Sequence, residues 1–257
     1  MVREGNVLCL IFDDAATKNA IDDVKARALA HRVTSGALEH SIGEGNIGAL
    51  VLTSAMSGVF ASGGDVKKLG GMESHVANEM TLHMRAFCAA LSTLPAPTFS
   101  LLCGPAYGGG AEIALATDFR VAGHASAALH LWQAKWAVPG GWHGMTRLSE
   151  LCPSLSPRRV GLLFASARSL DKSELVRLGL CDAAFEAEPA AMDFILEFAN
   201  GFSSCPRRLR SDFLGRINSV GTDEAMFARH WLGPEHRARL DAFKASRQGA
   251  AQKGSKT

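Results

Sequence analysis

The stretch CGPAYGGGAEIALATDFRVAG, residues 103–123, places three consecutive glycines between a predicted strand and a predicted helix. Glycine lets the backbone turn sharply and lets a bound group approach the peptide N–H groups closely. The first N–H groups of a helix have no partner inside the helix and lie at its positive end, so they are suited to hold a negatively charged oxygen. Glu112 adds one carboxylate to the first turn of this predicted helix.

The glycines do not fit the common nucleotide-binding or hydrolase patterns. The dinucleotide pattern GxGxxG fails because Ile113 stands at the place of the last glycine when Gly108 is the first. Neither the phosphate-binding pattern GxxxxGK(S/T) nor the nucleophile pattern GxSxG occurs in the chain. Nucleotide binding and serine hydrolysis therefore have no support in this segment.

A second glycine-rich turn, FASGGDVKKLGG at residues 60–71, also follows a predicted strand. Asp65 and Val66 can begin a helix after it, since aspartate is a favoured residue at helix starts. Two such turns at the ends of neighbouring strands could direct two N–H groups at one oxyanion. The pair of turns therefore suggests an oxyanion site built from backbone.

Strands and helices alternate over the first part of the chain, and helical patterns dominate after residue 150. Short apolar runs predict buried strands at 6–12 and 47–55, and a third run at TFSLLCG and a fourth at FRVAG follow. This order predicts an α/β fold with a helical C-terminal region. A length of 257 residues favours one domain over two.

Composition excludes several classes of partner. The net charge is +2 and no basic run is interleaved with aromatic residues, so no nucleic acid partner is expected. No apolar run approaches the roughly 20 residues of a membrane helix, and no signal peptide is predicted. The six cysteines show no metal-ligand spacing, which predicts reduced thiols in a cytoplasmic protein with no metal site.

The two glycine-rich segments together resemble the signature segments of the crotonase (enoyl-CoA hydratase/isomerase) superfamily. Other segments agree in order along about residues 5–247, namely KNAIDD, PGGWHGMTRL, RSLDKSELVRLGLCDAAF and LDAFKASR. The resemblance implies a crotonase-like ββα spiral core at residues 1–190 and a helical C-terminal trimerisation region at 191–247. The polar composition of residues 248–257 predicts a disordered tail. It also implies a homotrimer or hexamer, acyl-CoA substrates, and no cofactor beyond coenzyme A as the substrate carrier.

The resemblance also assigns roles to individual residues. Gly64 and Gly109 match the two oxyanion-hole amides, which hold the thioester oxygen as negative charge develops. Glu112 matches one of the two catalytic glutamates of the hydratases. Lys18 and Lys67 lie where family members contact the phosphates of coenzyme A, although a solvated surface lysine has the same appearance in sequence.

The pattern departs from the hydratases at the second catalytic glutamate. Counting forward from VAG places Trp132 at that position, whereas counting back from TRL places Gln133 there. No Asp or Glu occurs between Asp118 and Glu150. Hydration by two carboxylates on opposite sides of the substrate is therefore not expected.

Other segments favour a different branch of the superfamily. GGGAEIALATDFRV, GWHGMTRL and ARHWLGP together resemble the ethylmalonyl-CoA decarboxylase group. A malonyl-type thioester that loses CO2 becomes an enolate, and an apolar wall would promote that loss by desolvating the carboxylate.

The candidates for this wall are Trp132, Trp136 and Trp142. The candidate proton donors to the enolate carbon are Glu112, His130 and His143, and Lys135 is a candidate to bind a substrate carboxylate. The predicted substrate pocket contains Trp132, Gln133, Trp142 and His143.

Three functions remain open at this point. The first is decarboxylation of a short 2-alkylmalonyl thioester. The second is an enoyl-CoA hydratase or isomerase that uses Glu112 alone, since isomerisation needs only one base. The third is a non-catalytic acyl-CoA-binding protein that kept the oxyanion turns. An acyl-carrier protein could replace coenzyme A in any of them.

Overall fold

The fold is described from a computed structural model, which describes residues 1–206, 209–210, 213–214, 233–235, 237–239, 241–242 and 245. The chain divides into two compact units, Met1–Ser203 and Ser204–Thr257. Within the second unit, Arg239 Nη2 donates to the carbonyl of Ser204 at 2.6 Å. The predicted tail at 248–257 lies outside the described residues, as do large parts of the predicted trimerisation region.

The secondary structure of the first unit alternates as the sequence predicts. Its strands are β1 (Val2–Glu4), β2 (Val7–Phe12), β3 (Ala20–Ile21), β4 (Ala49–Ser54), β5 (Gly63–Gly64), β6 (Thr98–Leu102), β7 (Pro105–Tyr107), β8 (Phe119–Ala122), β9 (Ala128–His130), β10 (Ser169–Asp171) and β11 (Ala183–Ala184). Its helices are α1 (Asp23–Thr34), α2 (Ala37–Glu44), α3 (Val66–Leu69), α4 (Ser74–Leu91), α5 (Gly109–Ala116), α6 (Gly144–Leu151), α7 (Pro157–Ala165), α8 (Lys172–Arg177) and α9 (Glu188–Ser203), with a 3-10 helix at Trp132–Trp136.

The largest sheet has the strand order β1-β2-β4-β6-β8-β11. Strand β1 is antiparallel to β2, and the other neighbours are parallel. Because β4 and β6 are buried on both faces, their sequences are almost continuously apolar. Two smaller sheets, β10-β9-β7 and β3-β5, carry the turns that follow the main strands. The sequence did not predict these small sheets, since strands of two or three residues leave no periodic pattern.

Helices cover both faces of the main sheet. On one face α1, α4 and α5 enclose a core that includes Leu50, Leu52 and Phe87. On the other face α9 packs against Val51 and Phe99, together with other side chains of the sheet. The first unit ends at Ser203 and so includes α9, while the predicted trimerisation role of the region after residue 190 stays a prediction. All six cysteines are free thiols.

A buried carboxyl joins two neighbouring strands beside α5. Asp118 Oδ2 accepts hydrogen bonds from the N–H and the hydroxyl of Thr98, at 2.9 and 2.8 Å. Asp118 Oδ1 is buried and has no partner among the described residues. Burial raises the pKa of Asp118, and the bonds from Thr98 and the charges of Arg147 and Arg120 only partly offset this effect. The charged form of Asp118 therefore costs stability.

The Asp118→Asn variant should reveal this cost through its pH dependence. A folded-state pKa above the unfolded value means that the cost is absent at low pH and appears as pH rises through the folded pKa. Asparagine keeps an acceptor for Thr98 but carries no charge. We expect the variant to gain stability relative to wild type when the pH is raised from about 4 to about 7, measured by urea unfolding.

Asp171 supplies the control with the opposite sign. Its pKa is lowered, first by the hydrogen bond from the hydroxyl of Ser173 and then by the N–H of Glu174. Asp171→Asn should therefore lose stability relative to wild type as the pH rises toward about 4, and the difference should stay nearly constant above that pH. A pH-independent difference between Asp118→Asn and wild type would contradict the proposed cost.

Candidate active site

The two glycine-rich turns pack against each other in the structure. Gly63 has a φ of +87°, which favours glycine. A Cβ at Gly63 would lie 2.5 Å from the carbonyl oxygen of Tyr107 and 2.9 Å from the nitrogen of Gly109. The N–H of Tyr107 donates to the carbonyl of Ala61 at 2.9 Å, and this hydrogen bond joins the two turns. Gly64 and Gly109 therefore lie on adjoining segments of bare backbone.

The N–H of Gly109 is available to a ligand. Gly109 is the first residue of α5, and it is half-buried rather than enclosed. In the part of the chain that the structure describes, no acceptor is found for this N–H. The preceding N–H, of Gly108, donates to the carbonyl of His130 at 2.8 Å. The other turn ends at Asp65, whose side chain caps α3 directly after Gly64. The geometry permits the N–H groups of Gly64 and Gly109 to bind one oxyanion, and this role stays a prediction.

The carboxylate of Glu112 is 2% exposed and is held by four N–H donors. Its Oε1 accepts from Gln133 Nε2 and from the N–H of Gly141, both at 3.2 Å. Its Oε2 accepts from the N–H groups of Trp142 and Gly144, at 2.8 and 2.9 Å. A carboxylate offers about four lone-pair positions, so all of them are filled. Glu112 must break one of these bonds before it can take a proton from a substrate.

Of the two residues that the sequence places at the second glutamate, Gln133 contacts Glu112, with its Nε2 donating to Glu112 Oε1 at 3.2 Å. The side chain of Gln133 is 5% exposed, and its Nε2 is committed to Glu112. Its Oε1 is buried and has no partner among the described residues. At the position of a second catalytic glutamate the chain therefore places a neutral amide with one free acceptor.

The indole of Trp142 lies against Gly109. A Cβ at Gly109 would lie 2.2, 2.6 and 2.7 Å from ring atoms Cζ3, Cη2 and Cε3 of Trp142. Trp142 is 6% exposed, whereas Trp136 is 61% exposed. Of these two candidates for the apolar wall, only Trp142 is placed beside the oxyanion turn.

The loop that carries Trp142 is held from two sides. Glu112 accepts three of its N–H groups, and Arg85 Nε of α4 donates to the carbonyl of Gly141 at 2.8 Å. His143 is exposed and has a φ of +72° at the start of α6. The sequence analysis missed Arg85, because nothing in α4 indicates a contact with a residue 56 positions further along the chain.

Trp132 belongs to a group of side chains beside the same turn. Its ring centroid lies 5.2 Å from that of Tyr107 and 4.7 Å from that of His130, and Tyr107 stacks on His130 at 4.5 Å. Ser169 Oγ accepts from Trp132 Nε1 at 3.0 Å and lies 2.7 Å from His130 Nδ1. The ammonium of Lys135 lies 3.3 Å from the Trp132 centroid. The structure therefore joins these residues into one group.

The environment of His130 weakens it as a proton donor. Burial lowers its pKa, and the nearby charge of Lys135 lowers it further. A histidine whose pKa falls below its usual value is neutral at neutral pH. Neutral imidazole is a poor acid, so this observation argues against His130 in that role.

Lys18 and Lys67 flank the first glycine-rich turn. Both are exposed, and within the described ranges neither has an ion-pair partner. The N–H of Ser62 donates to the carbonyl of Lys18 at 3.1 Å, and Lys67 lies in the first turn of α3. The neighbouring Lys68 is instead paired with Asp22 at 2.5 Å. The backbone of both lysines therefore lies close to the turn and both residues are exposed, while their contact with coenzyme A stays a prediction.

The structure shows neither a metal cluster nor a membrane helix in the residues that it describes. No group of three or more His, Cys, Asp or Glu side chains there could hold a metal ion. No described helix combines the length and the apolar character needed to cross a bilayer.

Comparisons with known proteins agree with the predicted superfamily. A sequence model described as enoyl-CoA hydratase/isomerase matches residues 3–200. The mouse methylglutaconyl-CoA hydratase is 31% identical over 204 residues, which are 75% of this chain and 60% of that protein. A probable enoyl-CoA hydratase of Mycobacterium tuberculosis, echA14, is 28% identical over 96% of this chain and 94% of its own length. The chain covers between 39% and 60% of the lengths of four methylglutaconyl-CoA hydratases that it matches.

Solved structures confirm the fold class. The crystal structure of enoyl-CoA hydratase from Bacillus anthracis matches with a TM-score of 0.78 at 23% identity, covering 95% of this chain and 93% of that one. An enoyl-CoA hydratase from Polaromonas gives the same TM-score at 19% identity, with 95% and 96% covered. The predicted crotonase-like α/β fold is therefore confirmed.

Proposed function

Because the chain belongs to the enoyl-CoA hydratase/isomerase family, we propose that it decarboxylates a short 2-alkylmalonyl thioester, using the N–H groups of Gly64 and Gly109 to hold the enolate oxygen. The observation that carries the proposal is the state of Glu112, whose acceptor positions are all filled, with Gln133 in place of a second carboxylate. Loss of CO2 produces the enolate directly and requires no base. A site with an oxyanion hole but no free carboxylate pair suits that reaction better than hydration.

The remaining residues have compatible roles in this proposal. The C–C bond to the carboxylate breaks, its electron pair forms the enolate, and CO2 leaves. Trp142 supplies an apolar surface beside the reacting group, which favours the neutral product over the carboxylate. Lys18 and Lys67 are placed to bind the phosphates of coenzyme A or of an acyl-carrier protein. The enolate carbon then takes a proton from water, and the hydroxide left behind combines with CO2 as bicarbonate, which completes the reaction. Glu112 accepts four hydrogen bonds as a carboxylate and so has no proton to give. We expect the protein to work as a homotrimer or hexamer, as the resemblance implies, and in the cytoplasm, as the cysteine pattern predicts.

The second candidate function is an enoyl-CoA hydratase or isomerase. The names of the relatives favour it, since they include methylglutaconyl-CoA hydratases and an enoyl-CoA isomerase/hydratase of Penicillium crustosum that is 30% identical over 69% of this chain. Glu112 would then act as the base, after releasing one of its four hydrogen bonds. The third candidate, a binding protein, would keep the amides and the lysines without turnover.

A mass-spectrometric assay of malonyl-, methylmalonyl-, ethylmalonyl- and crotonyl-CoA separates these candidates. We expect a malonyl-type ester to lose CO2, and Glu112→Gln to keep kcat within about tenfold of wild type, because the reaction needs no base. The side-chain NH2 of glutamine cannot accept the N–H groups held by one oxygen of Glu112, so the loosened loop should appear as weaker binding of butyryl-CoA, which is measured separately.

Each other outcome supports a different function. Water gained by crotonyl-CoA, or a shifted double bond, that disappears in Glu112→Gln would replace the proposal with the hydratase or isomerase. Tight binding of every ester without any turnover would replace it with the binding protein.

A further inference from the structure

The position of Trp142 has a consequence for the acyl group, and this consequence rests on the oxyanion role proposed for Gly109. A carbonyl oxygen bound by the Gly109 N–H would lie about 2.9 Å from the nitrogen, with the carbonyl carbon about 1.2 Å further. The α-carbon of the acyl group then follows within one more bond. The indole fills the space that a side chain at residue 109 would occupy. The first carbons of the acyl group therefore lie beside this ring.

The indole is fixed rather than free to move aside. The backbone N–H of Trp142 donates to Glu112, as do the backbone N–H groups of Gly141 and Gly144 in the same loop. Arg85 holds the carbonyl of Gly141 from α4. The ring itself is 6% exposed, and the backbone that carries it is held by three hydrogen bonds to one carboxylate, so a ligand cannot easily displace it. The space next to the thioester is therefore limited in size by a rigid surface.

We infer that Trp142 is the residue that limits acyl size, so that the site accepts thioesters with short acyl groups and rejects longer chains. Glu112 is a positioning residue in this arrangement, since it acts on the substrate through the loop that carries the indole. This assignment explains why the carboxylate is saturated with backbone donors. It also gives a structural reason for a substrate with a short alkyl substituent.

The experiment measures binding of saturated esters, which can be neither decarboxylated nor hydrated. Dissociation constants of acetyl-, butyryl-, hexanoyl- and octanoyl-CoA are measured for wild type, Trp142→Ala and Trp142→Phe. We expect wild type to bind hexanoyl-CoA at least about tenfold more weakly than butyryl-CoA, and Trp142→Ala to remove most of this difference. Trp142→Phe should give an intermediate value, and it replaces the alanine variant if that one does not fold.

Trp136→Ala is the matched control. Trp136 is exposed on the neighbouring 3-10 helix, so this variant should show the same dependence of the dissociation constant on chain length as wild type. Wild-type affinity that does not depend on chain length, or that depends on it equally in the Trp142 variants, would overturn the assignment and leave the proposed function intact. Failure of wild type to bind any of the four esters would instead overturn the proposed function together with the assignment.

Discussion

Replacing Gly109 by alanine should lower kcat/KM on the preferred thioester by about 10²–10³-fold, the loss typical of a missing oxyanion donor. The variant keeps the N–H of residue 109, so a lower kcat/KM would mean that this N–H has moved from its position in wild type. The new Cβ would lie 2.2 Å from Cζ3 of Trp142, and either the indole or the start of α5 must move. Since a shift of about 1 Å can cost about 10²-fold in rate, steady-state kinetics can measure either movement.

A double variant identifies which group moves. Trp142→Ala removes the ring atoms that collide with the new Cβ, so Gly109→Ala should cost less activity in the Trp142→Ala protein than in wild type, which is the recovery expected of the double variant. Gly161→Ala is the matched control, because a Cβ at that helical position of α7 meets nothing within 4 Å. Full activity in Gly109→Ala, or no recovery in the double variant, would argue against the contact as the cause.

Changing Gln133 to glutamate should create hydration of crotonyl-CoA that is at least about 10²-fold faster than in wild type, the usual contribution of a positioned acid or base. The side-chain nitrogen of Gln133 lies 3.2 Å from Glu112 Oε1, so the variant would bring two carboxyl groups together. Two carboxylates at that separation share one proton, which supplies both an acid and a base. The product is measured as the mass gained when water adds to the double bond.

Trp132→Glu is the matched control for this gain of function. It introduces the same carboxylate one residue earlier, where the side chain lies near Tyr107 and His130 instead of Glu112. We expect it to gain no hydration. Hydration in Trp132→Glu but not in Gln133→Glu would mean that the arrangement around Glu112 is assigned incorrectly.

Some of this site was predictable from sequence because its chemistry is local. A run of glycines before a helix indicates exposed amides wherever it occurs, and the two turns at residues 60–64 and 107–110 do pack together. The saturation of Glu112 was not predictable, because its backbone donors lie between 29 and 32 residues further along the chain. The choice between Trp132 and Gln133 was open for a similar reason. The loop contains one extra residue, so counting along the sequence does not show which side chain reaches the carboxylate of Glu112.

The fold shows a similar division. The strands of the main sheet are apolar runs, and the structure confirms those predicted from TFSLLCG and FRVAG as β6 and β8. The assignment of α9 depended on which surface it covers, and its amphipathic sequence does not specify that surface. Only the packed structure shows that Ala191 and Ile195 lie against the main sheet.

The late position of α9 affects how the chain is made. Chains emerge from the ribosome from the N-terminal end, and the apolar surface of β2, β4 and β6 is complete long before residues 188–203 are synthesised. Until α9 arrives, Val51 and Phe99 face water or another chain. An apolar sheet face that stays uncovered during this interval can pair with other chains, so the delay before α9 is made is a period of aggregation risk for the nascent protein.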